Sequence, residues 1–316
     1  MVMDADARTR LVTGLLVVAG LPLFAVAVLR TIGYDGDWYL TALMALAPYV
    51  IVYGVLLAAV ALLLRRWWVG GVALAMAALL TVYVVPRVMA DEQPAARGKT
   101  VRVMASNLYV GRADPAEVVR LVREQRVDVL NLLEMTPAAV DGLERAGLFA
   151  VLPYRVLHAA PGTDGSGIVS RFRLTEEAYA GDSARKQPGA MADLGDGVTL
   201  EIVAAHPNAP DTGFHEWEQE MRDLSRAIGE HGLRVVAGDF NATLDHAALR
   251  TVLSRGYVDA AEARGDGLIP TWPATMVPFA PLDHVLVDRR VAVRDYRVLD
   301  VAGTDHRAVY AEVQLP

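Results

Sequence analysis

The chain has 316 residues, 53% of them hydrophobic, a mean hydropathy of +0.29 and a formal net charge of −7. That is too apolar for an ordinary soluble protein, so part of it belongs in lipid. The sequence contains no cysteine, which excludes disulfides, thiolate zinc sites and a cysteine nucleophile.

The apolar excess lies at the front. Residues 11–29, 38–64 and 69–86 carry no charged side chain and each suits a bilayer-crossing helix, so residues 1–90 read as an anchor of three transmembrane helices. Pro22 and Pro48 are compatible with this, since membrane helices tolerate proline. Arg8 and Arg10 ahead of the first segment also fit a signal peptide, but its length and the two further segments favour an uncleaved anchor. Arg8, Arg10, Arg65 and Arg66 fall on one side, which the positive-inside rule makes cytoplasmic. Three crossings then deliver residue 87 onward to the extracytoplasmic face of the plasma membrane. Arg87, Arg97, Lys99 and Arg102 run against that orientation. Trp67 and Trp68 read as interfacial anchors.

Residues 91–99, DEQPAARGK, form a polar linker, and 100–316 have the composition of a globular domain long enough for one core. That stretch holds 22 basic against 31 acidic side chains, whereas a general nucleic-acid binder is normally basic. Strand patterns occur at 101–107, 127–134, 151–157, 167–170, 198–205, 233–237, 282–288 and 306–313, with helical periodicity at 114–126, 213–230 and 245–255. Several strands follow one another without a helix between them, so the class is α+β with mixed or antiparallel sheets.

Six strand edges end in acid, amide or imidazole groups: Asn107, Glu134, His206, Asp239 with Asn241, Asp283 with His284, and Asp305 with His306. Each alone is turn or cap chemistry. Together they suit phosphate-ester hydrolysis. A hard cation such as Mg²⁺ takes oxygen ligands, which Glu134, Asp305 and the Asn107 amide oxygen offer. Asp239 would deprotonate a water and Asn241 donate to a phosphate oxygen. His306, held by Asp283, would steady developing charge or pass a proton.

The ordered segments SNLYVG, NLLEMTP, GSGIVSRF, AAHPNAP, VVAGDFNAT, PLDHVLV and TDHRAVYAEV resemble the successive motifs of the endonuclease/exonuclease/phosphatase superfamily across residues 100–316. The resemblance implies a DNase I-like, four-layer αββα sandwich and a Mg²⁺- or Mn²⁺-dependent phosphodiesterase or phosphomonoesterase. It implies a metal on Glu134 with Asn107 and Asp305 nearby, Asp239 as the water-activating acid, and phosphate contacts at Asn241, His206 and, more loosely, Asn208. It makes Asp283 and His306 a carboxylate–imidazole pair. The three-helix leader is not part of that domain, and no DNA-inserting loop is evident.

Duller readings stand beside these. His284 points to the opposite strand face from Asp283 and reads as structural. His215, His231 and His246 read as solvent-facing. Trp272 reads as core or rim packing, and GTDGSG at 162–167 as a hairpin connection, since it lacks the Gly-Lys-Ser/Thr ending of a phosphate loop. Two functional classes follow: a membrane-anchored phosphoesterase and a catalytically silent tethered binding domain. For the enzyme, the anchor and acidic charge favour a lipid headgroup or other small phosphodiester over extracellular nucleic acid.

Overall fold

The computed structural model describes residues 4–179, 183, 185–225 and 232–316. They form two units, Met1–Pro86 with Asp245–Ala247, and Arg87–Leu244 with Ala248–Pro316.

The first unit is helical: α1 (Ala5–Ile32), α2 (Trp38–Ala45), α3 (Ala47–Leu63) and α4 (Trp67–Val84). Asp4 caps α1 by accepting from Asp6 N–H, and Gly33, at φ 71°, ends it in the left-handed region. By length and composition α1 and α4, the latter with its 3₁₀ continuation to Val88, suffice to cross a membrane. The 38–64 segment is not the continuous helix its apolar run predicts. It is broken at Leu46 into α2 and α3, bent by 75°, and counts as a third span only if the pair is taken together. Pro48 supplies the reason, because it has no N–H to continue the ladder back to Met44 and stands in the first turn of α3. Small residues let the helices approach: a Cβ on Gly54 would come within 2.9 Å of Leu23, and Ala58, Ala61, Ala73 and Ala77 are buried around it. His246, expected in solvent, is buried in this unit with Nε2 2.9 Å from the Thr41 carbonyl, and Arg30 Nε meets Asp245 Oδ1 at 3.2 Å.

The second unit is a sandwich of two six-stranded sheets. Its strands are β1 (Thr100–Asn107), β2 (Val129–Leu133), β3 (Tyr154–His158), β4 (Ser166–Ser170), β5 (Arg173–Glu177), β6 (Gly189–Asp193), β7 (Thr199–Ala205), β8 (Arg234–Asp239), β9 (Tyr257–Asp259), β10 (Asp283–Asp288), β11 (Ala292–Leu299) and β12 (Ala308–Gln314). One sheet runs β11-β12-β1-β2-β4-β3 and the other β5-β6-β7-β8-β10-β9. The β1/β2 and β7/β8 pairs are parallel and the rest antiparallel.

The strand period of two explains the layers. Val101, Val103 and Ala105 of β1 join Val235 and Ala237 of β8 between the sheets. Met104, Leu130 and Leu132 face the other way, onto α5 (Pro115–Glu124) and α6 (Pro137–Arg145). Val236 and Leu286 pack outward on α8 (Pro210–Ser225) and α9 (Ala247–Ser254); the short α7 (Leu148–Val151) and α10 (Ala260–Ala263) complete the helices. The result is the DNase I-like αββα arrangement. Helix starts follow capping chemistry: Asp114 accepts from Ala116 N–H and Thr136 from Ala139 N–H, each followed by proline at the first helical position. Asn131, at the centre of β2, crosses the core and donates from Nδ2 to the Val203 and Ala237 carbonyls of the opposite sheet, both at 2.9 Å.

The 91–99 segment, read as a polar linker, lies against this unit. Asp91 N–H donates to Ala263 O, Gln93 bridges Ala263 O and Val293 N–H, and Gly98 N–H donates to Leu315 O.

Candidate active site

Sheet topology gathers the polar strand ends at one edge of the sandwich. Parallel pairing sets Asn107 opposite Leu133, so Asn107 and Glu134 emerge together. The parallel β7/β8 pair sets Ala205 opposite Gly238, which places His206 beside Asp239. Antiparallel β10 starts with Asp283 directly opposite Asp239, and Asp305 and His306 lead into β12, whose Val309 pairs with Ala105. Gly238 is required by this packing, because a Cβ there would stand 1.9 Å from the Ala205 carbonyl oxygen. Four side-chain-bearing residues at the edge adopt positive φ: Tyr109 (49°), Val110 (47°), Glu134 (53°) and Asn241 (48°). Such backbone costs on the order of 1 kcal/mol or more per residue and concentrates at functional sites.

Asn107 Nδ2 lies 3.1 Å from Asp239 Oδ2 and 3.3 Å from Glu134 Oε1, while its Oδ1 accepts from Tyr109 N–H. Glu134 Oε2 accepts from Val110 N–H at 2.7 Å. His306 Nδ1 meets Asp283 Oδ2 at 2.9 Å, and its Nε2 lies 3.6 Å from Asp239 Oδ2. His206 Nε2 is 3.9 Å from both Glu134 and Asp239. Further hydrogen bonds fix these residues: Asn241 N–H donates to Asp239 Oδ1, and the Thr304 hydroxyl donates to the Asn107 carbonyl while accepting from His306 N–H. Thr271 Oγ1 accepts from Leu282 and Asp283 N–H.

Burial pushes the Asp239 carboxyl up to about 6, with Asp283 adding to the rise and the His306 charge opposing it. Burial works against a charged His306, but Asp283 and Asp239 outweigh it and raise the imidazole to about 10. His206 goes the other way, held well below its ordinary value by burial, then by Arg185 and His306. A neutral His206 fits its contact, since Nε2 faces the Arg185 Nη1 donor at 2.7 Å and must accept.

Asp239, Asp283 and His306 each offer one ligand atom within 4.8 Å of the others, so this buried group could hold a metal ion. It is a different set from the expected Glu134, Asn107 and Asp305. The amide oxygen of Asn107 is engaged by Tyr109 N–H, and its NH₂ rather than its oxygen faces the two carboxylates. Asp305 carries a buried Oδ1 with no hydrogen-bond partner among the described residues. That orphaned oxygen, and donors that are all carboxylate, amide or imidazole, fit a hard divalent ion.

The remaining residues singled out in the sequence have these surroundings. Asn208 turns away into the start of α8, where Oδ1 accepts from Ala209 N–H and Thr212 Oγ1. Asn241 uses one amide N–H on the Pro207 carbonyl at 3.2 Å. His284 is buried between Asp259 and the Ala242 carbonyl, and His215 is exposed; His231 lies outside the described residues. Trp272 packs edge-on against Phe279. Sequence reasoning missed Arg185, Gln187, whose Oε1 accepts from His206 N–H, and the two threonines. Thr304 opens the TDHRAVYAEV segment but has no role of its own in that reading, whereas Arg185, Gln187 and Thr271 lie in loops that no motif or spacing marks.

The sequence profile of the Endonuclease/Exonuclease/phosphatase family matches residues 104–306. The chain belongs to this family, and its sandwich is that of a phosphoesterase with a buried Asp/His cluster. Two UPF0294 proteins of Vibrio vulnificus, from strains YJ016 and CMCP6, are each 29% identical over 128 residues, 39% of this chain and 42% of theirs. The chain thus matches about two fifths of the length of these curated relatives. Among solved structures, an endonuclease/exonuclease/phosphatase from Beutenbergia cavernae aligns with a TM-score of 0.56 at 16% identity, over 69% of this chain and 72% of that one. D. rerio TDP2 complexed with single strand DNA product aligns with a TM-score of 0.57 at 18% identity, over 68% and 99%. At these identities the likeness is one of fold.

Proposed function

We propose that the protein is a membrane-anchored phosphoesterase hydrolysing a phosphodiester or phosphomonoester, with Mg²⁺ or Mn²⁺ held by Glu134 beside Asn107 and Asp305. The observation that carries this reading is Asp239: a buried carboxylate raised to about 6, poised between the His306 imidazole and the Asn107 amide. When bound, the ion would neutralise charge on the phosphoryl oxygens. Asp239, ionised above about pH 6, accepts a proton from the attacking water. His306, protonated and fixed through Nδ1 by Asp283, presents its Nε2 proton to the developing charge. The second amide N–H of Asn241 would donate to a phosphoryl oxygen, and the Asn107 amide, bonded to both Asp239 and Glu134, would hold the two carboxylates in place.

The apolar helices and the acidic charge of residues 100–316 support a lipid headgroup or another small phosphodiester at the extracytoplasmic face. A nuclease is the second reading; the single strand DNA product in the D. rerio structure favours it, and the excess of 31 acidic over 22 basic residues opposes it. The test is turnover by the detergent-solubilised full chain on a phospholipid, a nucleotide monoester and single- and double-stranded DNA. EDTA should abolish activity and Mg²⁺ or Mn²⁺ restore it. No turnover with any metal would leave a tethered binding domain, and DNA as the preferred substrate would install the nuclease reading. Reporter fusions after residue 99 and within 65–68 should give opposite signals, with alkaline phosphatase active at the first; the reverse would place the domain in the cytoplasm.

A further inference from the structure

Arg185 stands between β5 and β6 and is 8% exposed. Its Nη1 is 2.7 Å from His206 Nε2 and 3.5 Å from the Pro207 carbonyl. Among the described residues no carboxylate lies within ion-pair distance of it; Glu220 and Asp239 sense its charge only from farther away. The neighbouring buried arginine of the same sheet is arranged differently: Arg234 Nε donates to Glu201 Oε2 at 2.7 Å. A guanidinium removed from water is strongly unfavourable unless an anion pairs with it, and among the described residues none does, so the contacts of Arg185 with His206 and Pro207 leave its charge unexplained.

Its side-chain contacts among the described residues use Nη1 alone of a five-donor fork. Arg185 lines a cleft of about 380 Å³ together with Ser183, Lys186 and Gln187, with the His158–Glu176 pair and Glu177 on its wall. The cleft is therefore polar, and its buried charge is positive. His206 links this cation to the acidic centre, lying 3.9 Å from Glu134 and Asp239 on the same ring nitrogen that faces Arg185.

We propose that Arg185 is a phosphate-binding residue, whose guanidinium takes non-bridging oxygens of the substrate's phosphoryl group, with His206 orienting it by accepting from Nη1. The inference rests on the phosphoesterase reading and adds the anchor for the phosphate. It also changes the part given to His206, from phosphate contact to positioning residue. Planar, two-point recognition of phosphate is what arginine provides and lysine does not.

The experiment is calorimetric titration of the full chain in detergent with inorganic phosphate, alongside steady-state kinetics on the ester that the wild type hydrolyses. Arg185→Gln should weaken phosphate binding about tenfold or more and raise KM, with an unfolding midpoint unchanged or higher because an unpaired buried charge is gone. Arg185→Lys should fall between the two, and it decides the matter if the glutamine variant does not fold. Phosphate affinity equal to wild type in the folded variants, or no phosphate binding by the wild type, would overturn the proposal. A wild type that binds phosphate through Arg185 but hydrolyses no ester would overturn the phosphoesterase reading and leave this one standing.

Discussion

In residues 11–64 and 67–84 many large apolar side chains lie at the surface, Leu63 being 83% exposed, Trp67 68% and Val18 63%. In residues 100–316 the fully buried set includes Asn131, His206, Asp239 and His284. One region puts hydrocarbon outside and the other puts polar groups inside, and a different physical account serves each. An α-helix pairs its interior backbone groups within itself and needs no water on an apolar outer face. The sandwich has ample apolar core, so it can bear buried polar groups wherever each finds partners. Apolar exposure there marks a solvent; polar burial here marks brace or chemistry.

The sharpest way to break the contrast is to separate the regions. The full chain should resist extraction from membranes by alkaline carbonate, whereas a chain beginning at Arg87 should remain in the aqueous fraction. Recovery of the full chain from washed membranes without detergent would mean that the exposed apolar faces are covered by something other than lipid.

Next in size is the distinction, within the sandwich, between polar groups buried for chemistry and those buried for structure. Asp239→Asn should lower turnover at least about a hundredfold, because an amide cannot take a proton from water. Its unfolding midpoint should hold or rise, since burial disfavours the charged carboxylate. Asn131→Ala should do the opposite, leaving kcat near wild type while removing roughly 1–3 kcal/mol of stability as two carbonyls lose their cross-sheet donor. Denaturant titration and kinetics on both variants check this, and an Asn131 variant that is stable but inactive would reverse the assignment.

That distinction also divides what was legible in the sequence. Eight of the strands are legible as alternating or apolar runs, and the order of the polar segments that close six of them carries the family resemblance; that Asn107, Glu134, His206, Asp239, Asp283 and His306 converge is the work of the sheet pairing, which the sequence does not display. The strands β5, β6, β9 and β11 escaped notice for different reasons: Arg173–Glu177 is mostly exposed, Tyr257–Asp259 has three residues, Gly189–Asp193 is built of small residues, and the register of Ala292–Leu299 shifts between Val293 and Asp295. Asn131 was hidden inside an apolar run, where one polar residue carries no periodic signal. Arg185 was hidden for the converse reason, since a cation in a polar loop looks like solvent-facing surface until the fold closes over it. Asn208 sits in a motif that reads as phosphate contact, yet its amide oxygen accepts from the first turn of α8, a cap that sequence offers with equal force.

The smallest effect tests whether a buried histidine in the sandwich is structural. His284 Nδ1 lies 2.8 Å from Asp259 Oδ2 and Nε2 2.9 Å from the Ala242 carbonyl, so both nitrogens face acceptors and the doubly protonated ring satisfies both. Burial alone would lower its pKa, but the Asp259 hydrogen bond and charge carry it above the ordinary 6.5. A raised histidine adds stability that is fully present below pH 6.5 and is lost as pH rises through the folded-state value. Asp259→Asn isolates this term, because Asp259 Oδ1 also caps α10 by accepting from Glu262 N–H and asparagine keeps that role. Unfolding free energy measured from pH 6 upward should therefore decline more in the wild type than in Asp259→Asn, with turnover in the variant changed little. Parallel pH profiles would show that the ring is neutral in the fold and that Asp259 serves only as a cap.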